Sequence, residues 1–182
     1  MNIEFRRTGE RRYAVVIQRP DWSTLEMNPA PGYDPLMPHD LLHYVVEREL
    51  GLRSGIFGQI ADGGGAGTFH LIAPTTEGKR EVARRRRRLA RRDARLLREG
   101  RRDCSTSERA VSAGHREWLA RRADPAHDGS KARAKRAART MGSDGIIADE
   151  CLNRICARLE QLSRRWARKH DSRRPTSPAR TR

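Results

Sequence analysis

The chain has 182 residues, a net charge of +16 and 36% hydrophobic residues. Residues 1–78 carry 7 Arg, no Lys and 10 acids, whereas residues 79–182 carry 32 basic and 13 acidic residues. This asymmetry predicts an α+β domain over residues 1–73, a basic helical region over 74–170 and a basic disordered tail over 171–182. The N-terminal residues contain no apolar signal segment and no stretch approaches the roughly 20 apolar residues of a membrane span, so a cytoplasmic, non-membrane protein is expected. Cys104, Cys151 and Cys156 are odd in number and lack CxxC spacing, which excludes a disulfide frame or a zinc knuckle.

In chain order, residues 2–7 and 11–18 are β-rich and separated by Thr8-Gly9-Glu10, a hairpin signal. A third short strand is expected over Ser23 to Met27, before the break at Pro29-Ala30-Pro31-Gly32. Asp34-Pro35 punctuates the following loop, and Pro38 suits a helix's first turn, where its missing N–H costs nothing. That helix should run to Leu50 and stop at Gly51, a natural left-handed residue. A short helix over Ser54 to Ala61 ends in Asp62-Gly63-Gly64-Gly65, and Thr68 to Ile72 is a last strand or an extended exit.

Beyond Pro74, residues 79–99 contain neither Gly nor Pro, and Val82, Leu89 and Leu96 recur every seven residues as one thin apolar stripe. Ser105-x-x-Glu108 matches a capping box, predicting a helix that opens there and continues through Arg122. A linker over 123–131 and a short helix over Ala132 to Thr140 follow. The last helix shows the three–four spacing of an amphipathic face at Leu152, Ile155, Cys156, Leu159, Leu162 and Trp166.

The chemistry concentrates in the helix after Pro38. With His39 at zero on a helical wheel, His43 falls near about 40°, Glu47 near about 80° and Asp40 near about 100°. Leu41, Leu42, Val45 and Val46 spread over the opposite arc, where a buried face belongs. Two imidazoles one turn apart beside carboxylates are how a helix presents a divalent metal, zinc above all. His39 and His43 are the expected ligands, with Glu47 as third. Asp40 is the candidate catalytic base, and a ligand role or a hydrogen bond to an imidazole N–H suits it equally. The spacing equals that of the zinc-protease motif His-Glu-x-x-His with Asp in place of Glu. An open coordination position would favour hydrolysis. The plain alternative is that Asp40 complements the helix dipole and the histidines are polar surface.

The run from Pro31 to His43, followed by Gly51-Leu52 and Gly55-Ile56-Phe57-Gly58, resembles a widespread group of bacterial proteins without assigned activity. His39, Asp40 and His43 are also similar to the His-Asp-x-x-His motif of coenzyme Q biosynthesis proteins. That family's further Glu ligand falls twelve residues after the second His, which is Gly55 here, so the resemblance implies that Glu47 substitutes for it.

Other signals are weaker. The glycines at 63–65 and 67 do not form a phosphate loop, since Gly78-Lys79 is followed by Arg80 and lacks the required upstream Gly. His70 is a distant candidate ligand or a surface histidine; His115, His127 and His170 lack partners at ligand spacing. Between Lys79 and Arg102 stand 13 basic residues and 3 acids. The block Arg84, Arg85, Arg86, Arg87 and Arg88 therefore suggests a nucleic-acid partner or another polyanion, bound without base readout. A non-enzymatic nucleic-acid-binding protein is the rival to a metal-dependent hydrolase. Trp118 and Trp166 are better placed for packing than for stacking on bases.

Overall fold

The computed structural model describes residues 1–72, 78–123 and 147–171. The fold is α+β. Four strands, β1 (Asn2–Gly9), β2 (Arg12–Gln18), β3 (Thr24–Ala30) and β4 (His70–Ile72), form an antiparallel sheet in the order β1-β2-β3-β4. Five helices accompany it among the described residues: α1 (His39–Leu50), α2 (Ile56–Ala61), α3 (Lys79–Glu99), α4 (Arg101–Ala123) and α5 (Asp149–Asp171). Among these residues no helix is long and apolar enough to cross a membrane.

The sheet follows from period-two alternation. Phe5 pairs with Val15, Ile3 with Ile17, Leu25 with Ile17 and Leu71 with Leu25, so the apolar side chains of all four strands share one face. The β2–β3 register slips between Tyr13 and Val15, whose partners are Ala30 and Met27. The extra residue lies in β3 beside Pro29, which has no N–H to give a ladder. Tyr13, Val15, Ile17 and Leu25 join Phe57, Ile60 and Trp166 in one core cluster, which therefore already includes a residue of the last helix.

The second cluster crosses the boundary expected near residue 74. Leu41, Leu42, Val45 and Val46 of α1 pack with Ala110, Val111 and Trp118 of α4 and with Leu152, Ile155 and Leu159 of α5. Each such side chain, fully buried, contributes about 1.5–3 kcal/mol, so the helix bearing the histidines relies on partners from the basic half. Gly114 allows the close approach of α4 and α5, since a Cβ there would lie 3.1 Å from Ile155 Cγ2. Trp118 closes that interface by donating its indole N–H to Glu160 at 3.0 Å.

Helix α1 begins and ends where its punctuation places it. Pro38 precedes its first residue, and Gly51 (φ 65°) ends it in the left-handed conformation. Upstream, Asp34 Oδ1 accepts the N–H groups of Leu36 and Met37, forming the turn anticipated at Asp34-Pro35. Helix α4 departs from expectation. It starts at Arg101, directly after Gly100, so Ser105 lies inside the helix and takes a hydrogen bond from Arg109 instead of capping. Ala123 and Asp171, expected to open the linker and the tail, are instead the last residues of α4 and α5; the rest of the linker, the predicted helix over 132–140 and the tail from 172 lie outside the described residues.

Candidate metal centre

His39 and His43, one turn apart on α1, point their Nε2 atoms at each other across 3.1 Å. Their rings are nearly perpendicular, at 81°. Glu108 reaches the pair from α4, placing Oε1 3.6 Å from His43 Nε2. One ligand atom from each of these three residues lies within 4.8 Å of the others. Two nitrogens at about 2.0–2.1 Å from one tetrahedral ion lie about 3.3 Å apart, close to the observed separation. His43 is buried, while His39 and Glu108 lie on the open side.

The surroundings also set the chemical state of His43. Its Nδ1 lies 2.8 Å from Ser107 Oγ, and the Ser107 hydroxyl donates to Glu47 Oε1 at 3.0 Å. A serine has one proton to give. With that proton spent on Glu47, Ser107 accepts from His43, so His43 carries its hydrogen on Nδ1 and turns a bare Nε2 lone pair toward His39 and Glu108. Burial pushes the His43 imidazole below its usual range, with Glu108 opposing and His39 reinforcing. The result is a neutral, oriented imidazole, the form in which histidine binds a metal.

Glu47 is held elsewhere. Its Oε1 accepts the N–H of Ile56 and its Oε2 the N–H of Phe57, each at 2.9 Å, at the start of α2. Burial raises its carboxyl above the usual range, and these donors oppose that shift. Gly55 makes the arrangement sterically possible, because a Cβ there would lie 2.4 Å from Glu47 Cδ. Glu47 thus orients the residue that orients His43, and Glu108 stands in the candidate group where Glu47 was expected.

Asp40 also stands outside the group. It lies about 100° around α1 from His39, on the side facing β2, where its carboxylate meets the Tyr13 hydroxyl. That hydroxyl contacts Pro31 O as well, tying the start of α1 to the sheet and to the preceding loop. Burial raises the carboxyl of Asp40, and burial with Asp40's proximity raises the phenol of Tyr13. The four side chains expected to share one wedge therefore face three environments: His39 and His43 face Glu108, Glu47 faces α2, and Asp40 faces the sheet. The cause is packing around nearly the whole circumference of α1, where Asp40, His43 and Glu47 are as buried as Leu41 and Val45.

Gly32 shapes the rim of the site. It adopts φ 70°, accepts the N–H of His39, and leaves only 2.6 Å between a Cβ at its position and His39 Cβ. His70 is exposed on β4, paired in register with Glu26, and lies outside the ligand group. His115, on α4 two turns beyond Glu108, stacks on Trp118. His127 lies outside the described residues. The residue that sequence reasoning missed is Glu108, whose signal was absorbed by the capping-box pattern.

No family model matches this chain, and no curated protein or solved structure does either. What this chain does has therefore to be argued from the chemistry of the candidate group His39, His43 and Glu108.

Proposed function

We propose that this chain binds one zinc ion through His39 Nε2, His43 Nε2 and Glu108 Oε1, and that the site serves hydrolysis. The observation that carries the reading is the Glu47–Ser107–His43 chain. A polar surface histidine needs no tautomer set by a buried serine that is itself fixed by a buried carboxylate, whereas a ligand histidine typically has such a partner. Two imidazoles and one carboxylate form a donor set used by hydrolytic zinc, and three protein ligands leave one coordination position open to water or substrate. Within this assignment His43 and His39 hold the ion, Glu108 closes the triad from a second helix, and Asp40 and Glu47 position rather than coordinate.

The test is zinc content after dialysis of the full chain against buffered zinc, read by elemental analysis. About one zinc per chain is expected, with loss in His39→Ala, His43→Ala and Glu108→Gln. Glu108 is exposed, so its variant should fold normally and separates ligation from folding. A folded parent protein that takes up no zinc overturns the metal assignment. Stoichiometric zinc without chelator-sensitive hydrolysis across ester, amide and phosphoester probes overturns the hydrolytic one.

A further inference from the structure

The basic character of α3 is sorted by the fold into an inner and an outer face. With Arg80 as origin, Arg85, Leu96, Leu89, Val82 and Asp93 fall at about 140–220°. This arc docks on the body: Leu96 is buried, Leu89 packs against the sheet cluster, and Asp93 Oδ1 accepts the N–H of Gly65 at 2.5 Å. The glycines at 64 and 65 serve this docking, since a Cβ at Gly64 would lie 2.8 Å from Asp93 Oδ1 and 2.9 Å from Leu96 Cδ1. Arg85 shares this arc and is half-buried, unlike the arginines on either side of it.

The outer arc is of one kind. Arg80, Arg84, Arg87, Arg88, Arg91, Arg95 and Arg98 fall within about 100° of one another, along about 27 Å of helix axis. All seven are exposed, and five of them, from Arg80 to Arg91, border one open hollow. The three acids of α3 interrupt this arc little. Asp93 points inward, Glu81 pairs with Arg84 at 2.6 Å near the start, and Glu99 pairs with Arg95 at 3.7 Å at the end. The five-arginine block is thus divided, with Arg84, Arg87 and Arg88 facing out and Arg85 facing in.

We infer that the outer face of α3 is a docking surface for the phosphate backbone of B-form duplex DNA, with α3 seated at the mouth of the major groove and its arginines reaching the phosphates on the two walls. A stripe of guanidinium groups complements phosphates and can bind them bidentately. No aromatic residue occurs between 79 and 99, so the face lacks the stacking platform that single strands use. The major groove of B-DNA is about 12 Å wide and admits an α-helix, whereas the deep, narrow major groove of A-form RNA does not. Binding is indifferent to sequence, because a face of arginines directed at phosphates positions without reading bases.

The experiment is fluorescence anisotropy of the full-length protein with a 20-base-pair DNA duplex, titrated from 50 to 200 mM salt. Seven phosphate contacts give a slope of log affinity against log salt of about −6. Arg84→Gln, Arg87→Gln, Arg88→Gln and Arg91→Gln together should bring the slope to about −3 and weaken binding at 50 mM salt by at least about tenfold. A control with the same charge change off the stripe (Arg11→Gln, Arg12→Gln, Arg53→Gln, Arg86→Gln) should stay within about threefold of the parent. Equal losses in the two variants, or none in the stripe variant, overturn the assignment to this face. Equal or tighter binding to an RNA duplex, to single-stranded DNA, or to phosphatidylglycerol vesicles at matched phosphate concentration overturns the choice of partner. Zinc content of the stripe variant should equal that of the parent, since none of the four residues touches the site.

Discussion

Replacing Ser107 with Ala removes one oxygen atom and tests the logic of the proposed metal centre. Ser107 is fully buried, on the inner side of α4, and its hydroxyl makes two contacts: it accepts from His43 Nδ1 and donates to Glu47 Oε1. Glu47 keeps its two backbone donors from α2, so its loss is one hydrogen bond, about 1 kcal/mol. His43 fares worse. Its Nδ1–H is left inside the protein with the 4.0 Å separation from Glu47 Oε1 too long for a hydrogen bond. An unsatisfied buried donor costs about 1–3 kcal/mol, for a total near 2–4 kcal/mol. The melting temperature should then fall by roughly 4–16 °C, at about 2–4 °C per kcal/mol for a chain of this size. Zinc affinity, measured by competition with a chromophoric chelator, should fall about 10–100-fold, because the tautomer is no longer fixed. A Ser107→Ala protein that loses stability but binds zinc as tightly as the parent would refute the relay and leave Ser107 as packing alone.

Two further outcomes follow from the same geometry. A chain ending at Ala73 should show no cooperative thermal transition by circular dichroism, because the face of α1 bearing Leu41, Leu42, Val45 and Val46 loses its α4 and α5 partners; a sharp two-state transition would show that residues 1–73 fold alone. In metal-free protein, burial lowers His43 below its ordinary value of 6.5, so below that value the unfolded chain binds a proton that the folded chain refuses. Stability should therefore fall as pH drops through about 6.5 toward the folded-state value, and urea unfolding at pH 7.5 and 5.5 should show a smaller difference in His43→Gln; an equal difference in both proteins would mean that His43 does not set the acid limb.

Much of the local structure was legible because its causes are local. Pro38 and Gly51 bound α1 through their own backbone preferences, the 3.6-residue period places His39 beside His43, and Gly100 separates the two long helices. The hairpin of β1 and β2 follows from alternation and turn residues in the same way, whereas β3 continues through Pro29 to Ala30, past the break expected there, and residues 68–72 left strand and extended exit equally open. The third member of the candidate group had no such local cause. Glu108 is 65 positions from His43, and its sequence neighbours offered a different role, since Ser105-x-x-Glu108 is also the pattern of a helix start. What decided between the two was the helix beginning four residues earlier and the packing of α4 on α1.

The fates of Asp40 and Glu47 were likewise decided in three dimensions. A helical wheel gives angles around an axis and carries no information about what stands at each angle. Tyr13 stands beside Asp40, and the first N–H groups of α2 stand beside Glu47, and a buried carboxylate settles where donors can replace its lost water. The total charge of α3 can be counted from the residues, but its division into a docked face and an arginine face exists only because Leu89, Asp93 and Leu96 found the sheet and the glycine loop. Periodicity within one helix is a property of the chain; which side of that helix meets water is a property of what packs against it.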